Sequence, residues 1–533
     1  MYQGLNRIED NKASYYSILI SFMFLAFIGS IFIGSALLFY IKVPVNGVSF
    51  VIFPIITMII GKFVLNKDRK NISWKFLILT LIGFFVLVAI LAVINNLVWD
   101  SSYDSLAYHQ ENVIDLYKGW NPFYDSTNKK INLWVMHYAK APAIFAAALY
   151  KITGRIEAAK VLTMLLPIIL GILSFGAFNL LSKNRKGLSI FAAIIAVLNP
   201  VIIGQSFSYY VDSSLGVYVL ALLINLYLIL FFEDLHFFKY FALTNIAVFL
   251  INIKFTGLAY AGAILLGFLI LSFIYNKKSY NIKLIVFLIC GLIFSVIILG
   301  FNPYVTNTIN DGNPLYPLAG KGKINIMTDN TPLDYRYDGE FKQEYKSMIA
   351  FPNPQNFKGA PATSFTEMFG VNKATLQYYS TTDARVRGFG VYSIIFIPLS
   401  FIGVLYLLIT NKDRKMMLGG LATVILISAV AIAGGAFWWA RYVPFLWALP
   451  LSVGFFMYLR KSKITKVIGM CFLLLMFVNS AIIVPGAIYF KVQRSNQLKN
   501  YIFSKPLIIT ENNFTPSFIN KAREFHLSYK LKS

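Results

Sequence analysis

WDSSYDSLAYHQENVIDLYKGWNPFYDSTNKKINLWVMHYAK, Trp99 to Lys140, stands as a polar stretch between long apolar runs. Directly before it, residues 75–98 carry no charge after Lys75. A run of about 20 apolar residues can cross a bilayer as a helix. In hydrocarbon the backbone must satisfy its own polar groups, so such runs are helices. Trp99–Lys140 is then a loop presented at one membrane face. It holds two of the four histidines, His109 and His137, with Asp100, Asp104, Glu111, Asp115 and Asp125.

The same alternation continues outward. Of 533 residues, 57% are hydrophobic and 13% are charged, where a soluble domain has roughly a quarter charged. The apolar blocks predict an all-α polytopic membrane protein. About 13 spans are expected, at 15–41, 47–65, 75–98, 158–182, 188–204, 214–232, 239–253, 256–275, 283–301, 389–410, 417–436, 440–459 and 464–485. The segment APAIFAAALYKIT, 141–153, is short for a span. It reads as a helix lying on, or dipping into, the outer surface.

The net charge of +25 would suggest nucleic acid in a soluble protein. Here the cations sit in short loops: Lys67, Arg69, Lys70 and Lys75; Lys183, Arg185 and Lys186; Lys277, Lys278 and Lys283; Lys412, Arg414 and Lys415; Arg460, Lys461, Lys463 and Lys466. Excess Lys and Arg marks cytoplasmic loops, and no soluble basic face is left to track a phosphate backbone. The N-terminus is therefore expected inside, with Trp99–Lys140 and the C-terminal tail outside. The regions read as N-terminal membrane helices (1–98), a first outer loop with interfacial helices (99–157), a membrane core (158–301), a large outer loop (302–388), C-terminal membrane helices (389–485) and an outer tail (486–533). Cys290 and Cys471 lie inside apolar runs, and no CxxC occurs. There is no phosphate-binding loop, HExxH or GxSxG motif. A nucleotide-linked donor is not expected.

Several residues could carry chemistry. A helix over about 102–117 would put Asp104, Tyr108, Glu111 and Asp115 on one face. Burial at a membrane cavity raises a carboxyl's pKa and suits a general base. On an ideal helix His109 points about 140° away from Asp104. The competing reading is an ordinary solvated loop helix. Asp212, in SYYVDSSLG, precedes a span and could bind metal, proton or sugar, or simply cap the helix. Lys254, in INIKFTGL, and Arg441, in FWWARYVP, stand at outer turns, where positive charge is unexpected. Together they could hold a phosphate, Arg by a bidentate fork and Lys as a point charge. The alternative is snorkelling to lipid headgroups. Arg385, Arg387 and Lys140 are weaker candidates of the same kind.

DSLAYH (104–109) followed by GWNP (119–122) resembles the first outer loop of GT-C glycosyltransferases. That superfamily includes aminoarabinose and protein O-mannosyl transferases, and the closest likeness is to bacterial members with a DSxxYH loop. YYVDS (209–213), IKFTGL (253–258), NPYVTNTINDGNPLYPL (302–318) and ARYVP (440–444) follow in the matching order, so the likeness covers about 95–450. The resemblance implies a GT-C-like fold in a bacterial plasma membrane and an inverting sugar transfer. The donor would be a polyprenyl-phosphate-linked sugar at the outer face, and the acceptor a lipid, glycan or protein. A divalent metal, Mg or Mn, often lies near the loop acid. Asp104 matches that acid, Tyr108 and His109 its neighbours, and Arg441 a late basic residue. The expected catalytic residues are Asp104, His109 and Glu111. Substrate is expected at Tyr108, Lys140, Asp212, Lys254, Asn313 and Arg441, and metal at Asp104 and Asp212. The loop departs from the family in lacking a plain Asp-Asp or Asp-Glu pair. Two other classes compete: a transporter or lipid flippase, which should show inverted repeats and polar midplane residues, and a non-catalytic polysaccharide-assembly protein.

Overall fold

The apolar blocks fold as helices in a computed structural model that describes residues 7–125, 132–274, 278–350, 369–410, 425–435 and 437–532. Among the described residues, nine helices are long and apolar enough to cross a bilayer: Lys12–Tyr40, Gly47–Lys67, Trp74–Leu97, Glu157–Leu181, Asp212–Phe231, Phe255–Ile274, Ile282–Leu299, Ser393–Thr410 and Lys463–Ile502. Local chemistry sets their starts. The Asn11 side chain accepts from Ser14 N at 3.2 Å, and Ser73 Oγ accepts from Phe76 N at 3.2 Å, each satisfying an orphan amide. Lys12–Tyr40 is the central helix, 83% buried in its most apolar window, whereas Ile282–Leu299 is 17% buried. The latter's apolar side chains, such as Ile289 and Ile297, face outward. Water would penalise that surface, and lipid does not. The chain is a helical, multi-pass membrane protein.

The expected thirteen spans are not all found. Lys186–Val197 has 12 residues, about 18 Å of helix, and breaks before the short helix Pro200–Gln205 because proline cannot continue it. His236–Ile251 and Pro444–Tyr458 are also short of a span. The expected span 417–436 falls partly outside the described residues; 425–433 is helical. The last span was expected to stop at 485, yet Lys463–Ile502 runs 40 residues through Pro485. Beyond it, strands Leu507–Thr510 and Tyr529–Lys532 pair in parallel across helix Thr515–Glu524, a small departure from all-α.

The helices have two chemically different ends. At one, Asp234 accepts from Ile8 N and Glu9 N at 3.0 and 3.1 Å, Lys70 pairs with Glu9, and Asp68 accepts from Phe237 N at 2.9 Å. Arg460 there reaches Thr410 Oγ1 at 3.0 Å. The basic loop segments 67–70, 183–186 and 460–463 lie at this end, and Lys277, Lys412, Arg414 and Lys415 lie outside the described residues. The other end gathers the first loop and the tail: Ser517 Oγ donates to Leu106 O at 2.8 Å, and Trp99 N donates to Ser495 Oγ at 2.6 Å. Ala141–Thr153 begins and finishes here. Ala141 N donates to Asn252 O at 3.0 Å, and Tyr150 Oη meets the tail's Glu524 at 2.5 Å. It does not run between the two ends.

Candidate active site

The first loop folds as the helix the spacing predicts, with one change. Residues 103–117 are helical, but Ser105–His109 form a π-turn, closed by Gln110 N donating to Ser105 O. The wider turn makes residues five apart neighbours. It therefore brings Asp104 and His109 to one side, where an ideal α-helix would separate them. Both line a cavity of about 860 Å³, as do Tyr108, Asp212, Lys254 and Arg441. Other walls come from the large loop, including Thr382 and Asp383, from Lys491 and Arg494 of the last long helix, and from Asn513 of the tail.

Two carboxylate–cation pairs face this cavity. Arg441 Nη1 donates to Asp104 Oδ2 at 3.1 Å, and its Nε faces Asp383 Oδ1 at 3.3 Å. The guanidinium lies 4.5 Å from the Trp439 ring, 5.2 Å from Tyr442 and 5.4 Å from Tyr210. Such an aromatic box orients a planar cation and lowers the cost of desolvating it. Asp104 is set from behind, its backbone N–H donating to Tyr210 Oη at 3.4 Å. In the second pair Lys254 binds Asp212 and sits 4.3 Å from the Tyr442 ring. Gln205 Nε2 donates to the other Asp212 oxygen at 3.0 Å. Asp212 does not act as a helix cap. Gly257 permits the tight turn carrying Lys254, since a Cβ there would lie 2.1 Å from Leu250 O. Gly216 lets the Asp212 helix approach Pro444, whose Cγ would be 2.8 Å from such a Cβ.

His109 has no hydrogen-bond partner among the described residues. Its ring is 4.4 Å from Tyr108 and 5.5 Å from Tyr138. Burial pushes its pKa down to about 3, overriding the opposing pull of Asp212. The imidazole is therefore neutral at physiological pH and free to exchange a hydrogen bond with a ligand.

Three expected residues lie off the cavity lining. Glu111 is behind it, engaging Asn132, which does line the cavity; burial and then Asp115 raise its pKa to about 7. Lys140 is buried and donates to Val135 O at 2.7 Å and to Tyr138 O, with Trp120 at 5.4 Å. It closes the first loop on itself. Asn313 Oδ1 accepts from Leu315 N at 2.9 Å and shapes a turn. Of the weaker candidates, Arg385 lines the cavity and pairs with Asp383 at 3.2 Å, whereas Arg387 is off the lining and holds Val391 O at 2.8 Å. Among the described residues no three His, Cys, Asp or Glu side chains converge as a metal site. Asp104 and Asp212, the acids expected to hold a metal, each face a cation here, Arg441 and Lys254.

The sequence reading missed Asp383, Gln205, Lys491 and Arg494. Asp383 sits two residues before Arg385, in TTDARVRGF, and that alternation was the one available signal. Comparison with family models, curated proteins and solved structures finds no match.

Proposed function

We propose that this chain is a membrane glycosyltransferase, moving a sugar from a polyprenyl-phosphate donor to a lipid, glycan or protein acceptor at the outer membrane face. One observation carries the reading. A carboxylate, Asp104, shares an 860 Å³ cavity with Arg441 and Lys254, at the end of the helices away from the basic segments 67–70, 183–186 and 460–463. That volume suits a small polar ligand, and cytoplasmic loops are the basic ones.

In the proposed reaction the acceptor oxygen attacks the sugar's anomeric carbon, and the carbon–oxygen bond to phosphate breaks with its electron pair on the phosphate. The acceptor's proton passes to Asp104. Inversion follows from attack opposite the leaving group. Arg441 releases Asp104 as its fork turns to the phosphate, and Lys254 adds a second positive charge where negative charge develops. Neutral His109 and Tyr108 orient hydroxyls.

The test supplies the purified protein with lipids extracted from its native membrane and follows products by mass spectrometry. Release of free polyprenyl phosphate together with a glycosylated acceptor is expected. Lipid moved between leaflets of a vesicle with no bond broken would make the chain a flippase instead.

A further inference from the structure

We infer that Lys491 and Arg494 form a separate subsite in the same cavity for a phosphate carried by the substrate. Charge accounting leads to it. Among the described residues, five cations and four carboxylates line the cavity. Three of the cations are matched: Arg441 with Asp104, Lys254 with Asp212 and Arg385 with Asp383. Lys491 and Arg494 have no carboxylate within ion-pair distance among the described residues. The remaining acid, Asp100, is already taken. Its oxygens accept from Ser102 N at 3.0 Å, Ser102 Oγ at 2.6 Å and Tyr209 N at 2.9 Å.

Lys491 is 8% exposed, and its one acceptor among the described residues is Gly204 O at 2.6 Å. An ammonium has three donors, so two are unspent. Arg494, one turn further on, spends one nitrogen on Ser380, at 2.6 Å to the carbonyl and 2.7 Å to Oγ. The rest of its fork meets no acceptor among the described residues. A desolvated cation without a counter-charge is costly to keep. Buried Lys491 and half-buried Arg494, side by side on one rigid helix and both lining the cavity, are compensated by a bound oxyanion. Arg441 and Lys254 differ in having resident carboxylates that an arriving anion must displace. Only the naming of this anion as part of a transferase substrate rests on the function proposed above.

The experiment measures binding of two probes, decaprenyl phosphate and water-soluble glycerol 3-phosphate, to the full chain in neutral-lipid nanodiscs. The Lys491→Met/Arg494→Gln double variant is expected to lose about tenfold or more in affinity, while Lys461→Met at the opposite end matches wild type. Loss for both probes assigns a phosphate site however the phosphate is carried, and loss for decaprenyl phosphate alone assigns the lipid phosphate. Thermal unfolding checks folding; if the double variant does not fold, Arg494→Gln alone gives the same readout at about threefold. Unchanged affinity in a folded variant, or no binding of either probe by wild type, overturns the subsite. Wild type that binds phosphate but transfers no sugar would end the transferase reading and leave the subsite standing.

Discussion

Two groups of buried carboxylates and cations lie at the same end of the helices, and only one meets the cavity. Glu157 pairs with Lys160 and, at 2.8 Å, with Lys521, and these side chains are 0–3% exposed. Lys521 also donates to Gln110 Oε1 at 2.6 Å, and Lys160 to Val98 O at 2.8 Å. This group stitches the tail helix to the first loop. Asp104, Arg441 and Asp383 make comparable contacts, but are 10–25% exposed, and line the cavity. Burial and pairing alone therefore do not mark chemistry. What distinguishes the second group is that a ligand can reach it.

Substitutions sharpen that contrast. The largest effect is expected at the sealed group. Glu157→Ala leaves Lys160 and Lys521 buried without a counter-charge, at a cost of about 3–5 kcal/mol. Thermal unfolding in detergent should show a large drop in Tm. Arg441→Lys should do the opposite: transfer falls about a hundredfold as the bidentate fork is lost, with Tm near wild type. A Tm loss as large as that of Glu157→Ala would move Arg441 to the structural group. His109→Gln should cost about tenfold in turnover and leave the rate profile between about pH 5 and 8 unshifted, because the imidazole does not titrate there. Its depressed pKa also means that the unfolded chain binds its proton first. Wild type therefore loses stability as pH falls below about 6.5 toward 3, and the Gln variant loses less.

Glu111→Gln gives the smallest effect. The raised carboxyl keeps its proton in the folded state after the unfolded chain has released it. Wild type thus loses stability as pH rises from 4.5 to about 7. The Gln variant should lack that slope, a difference of about 1–3 kcal/mol once solvent screening is allowed for. Parallel Tm–pH curves for the two proteins would show that Glu111 is already hydrated.

Much of this was legible in the chain. Length and apolarity announced the membrane helices, and turn-bound Lys254 and Arg441 stood out because cations are unexpected there. Asp104 and Asp212 were legible as acids beside spans. The π-turn was not, since nothing in SLAYH distinguishes it from an α-turn, and it is what carries His109 to the cavity. Lys491 and Arg494 were hidden by Pro485. A proline reads as a helix end, but a neighbouring helix can support the freed backbone, and the helix continues to Ile502. Asp383 showed in the chain only through its alternation with Arg385, and folding sets it and Asp104, more than 250 positions apart in sequence, on one guanidinium.

Asp104→Asn keeps the side chain's shape and removes its basicity, so it tests the proposed proton acceptor directly. In the purified transfer assay turnover should fall by about two orders of magnitude or more, with Tm and phosphate binding near wild type. Near wild-type turnover in a folded Asp104→Asn protein would contradict the account.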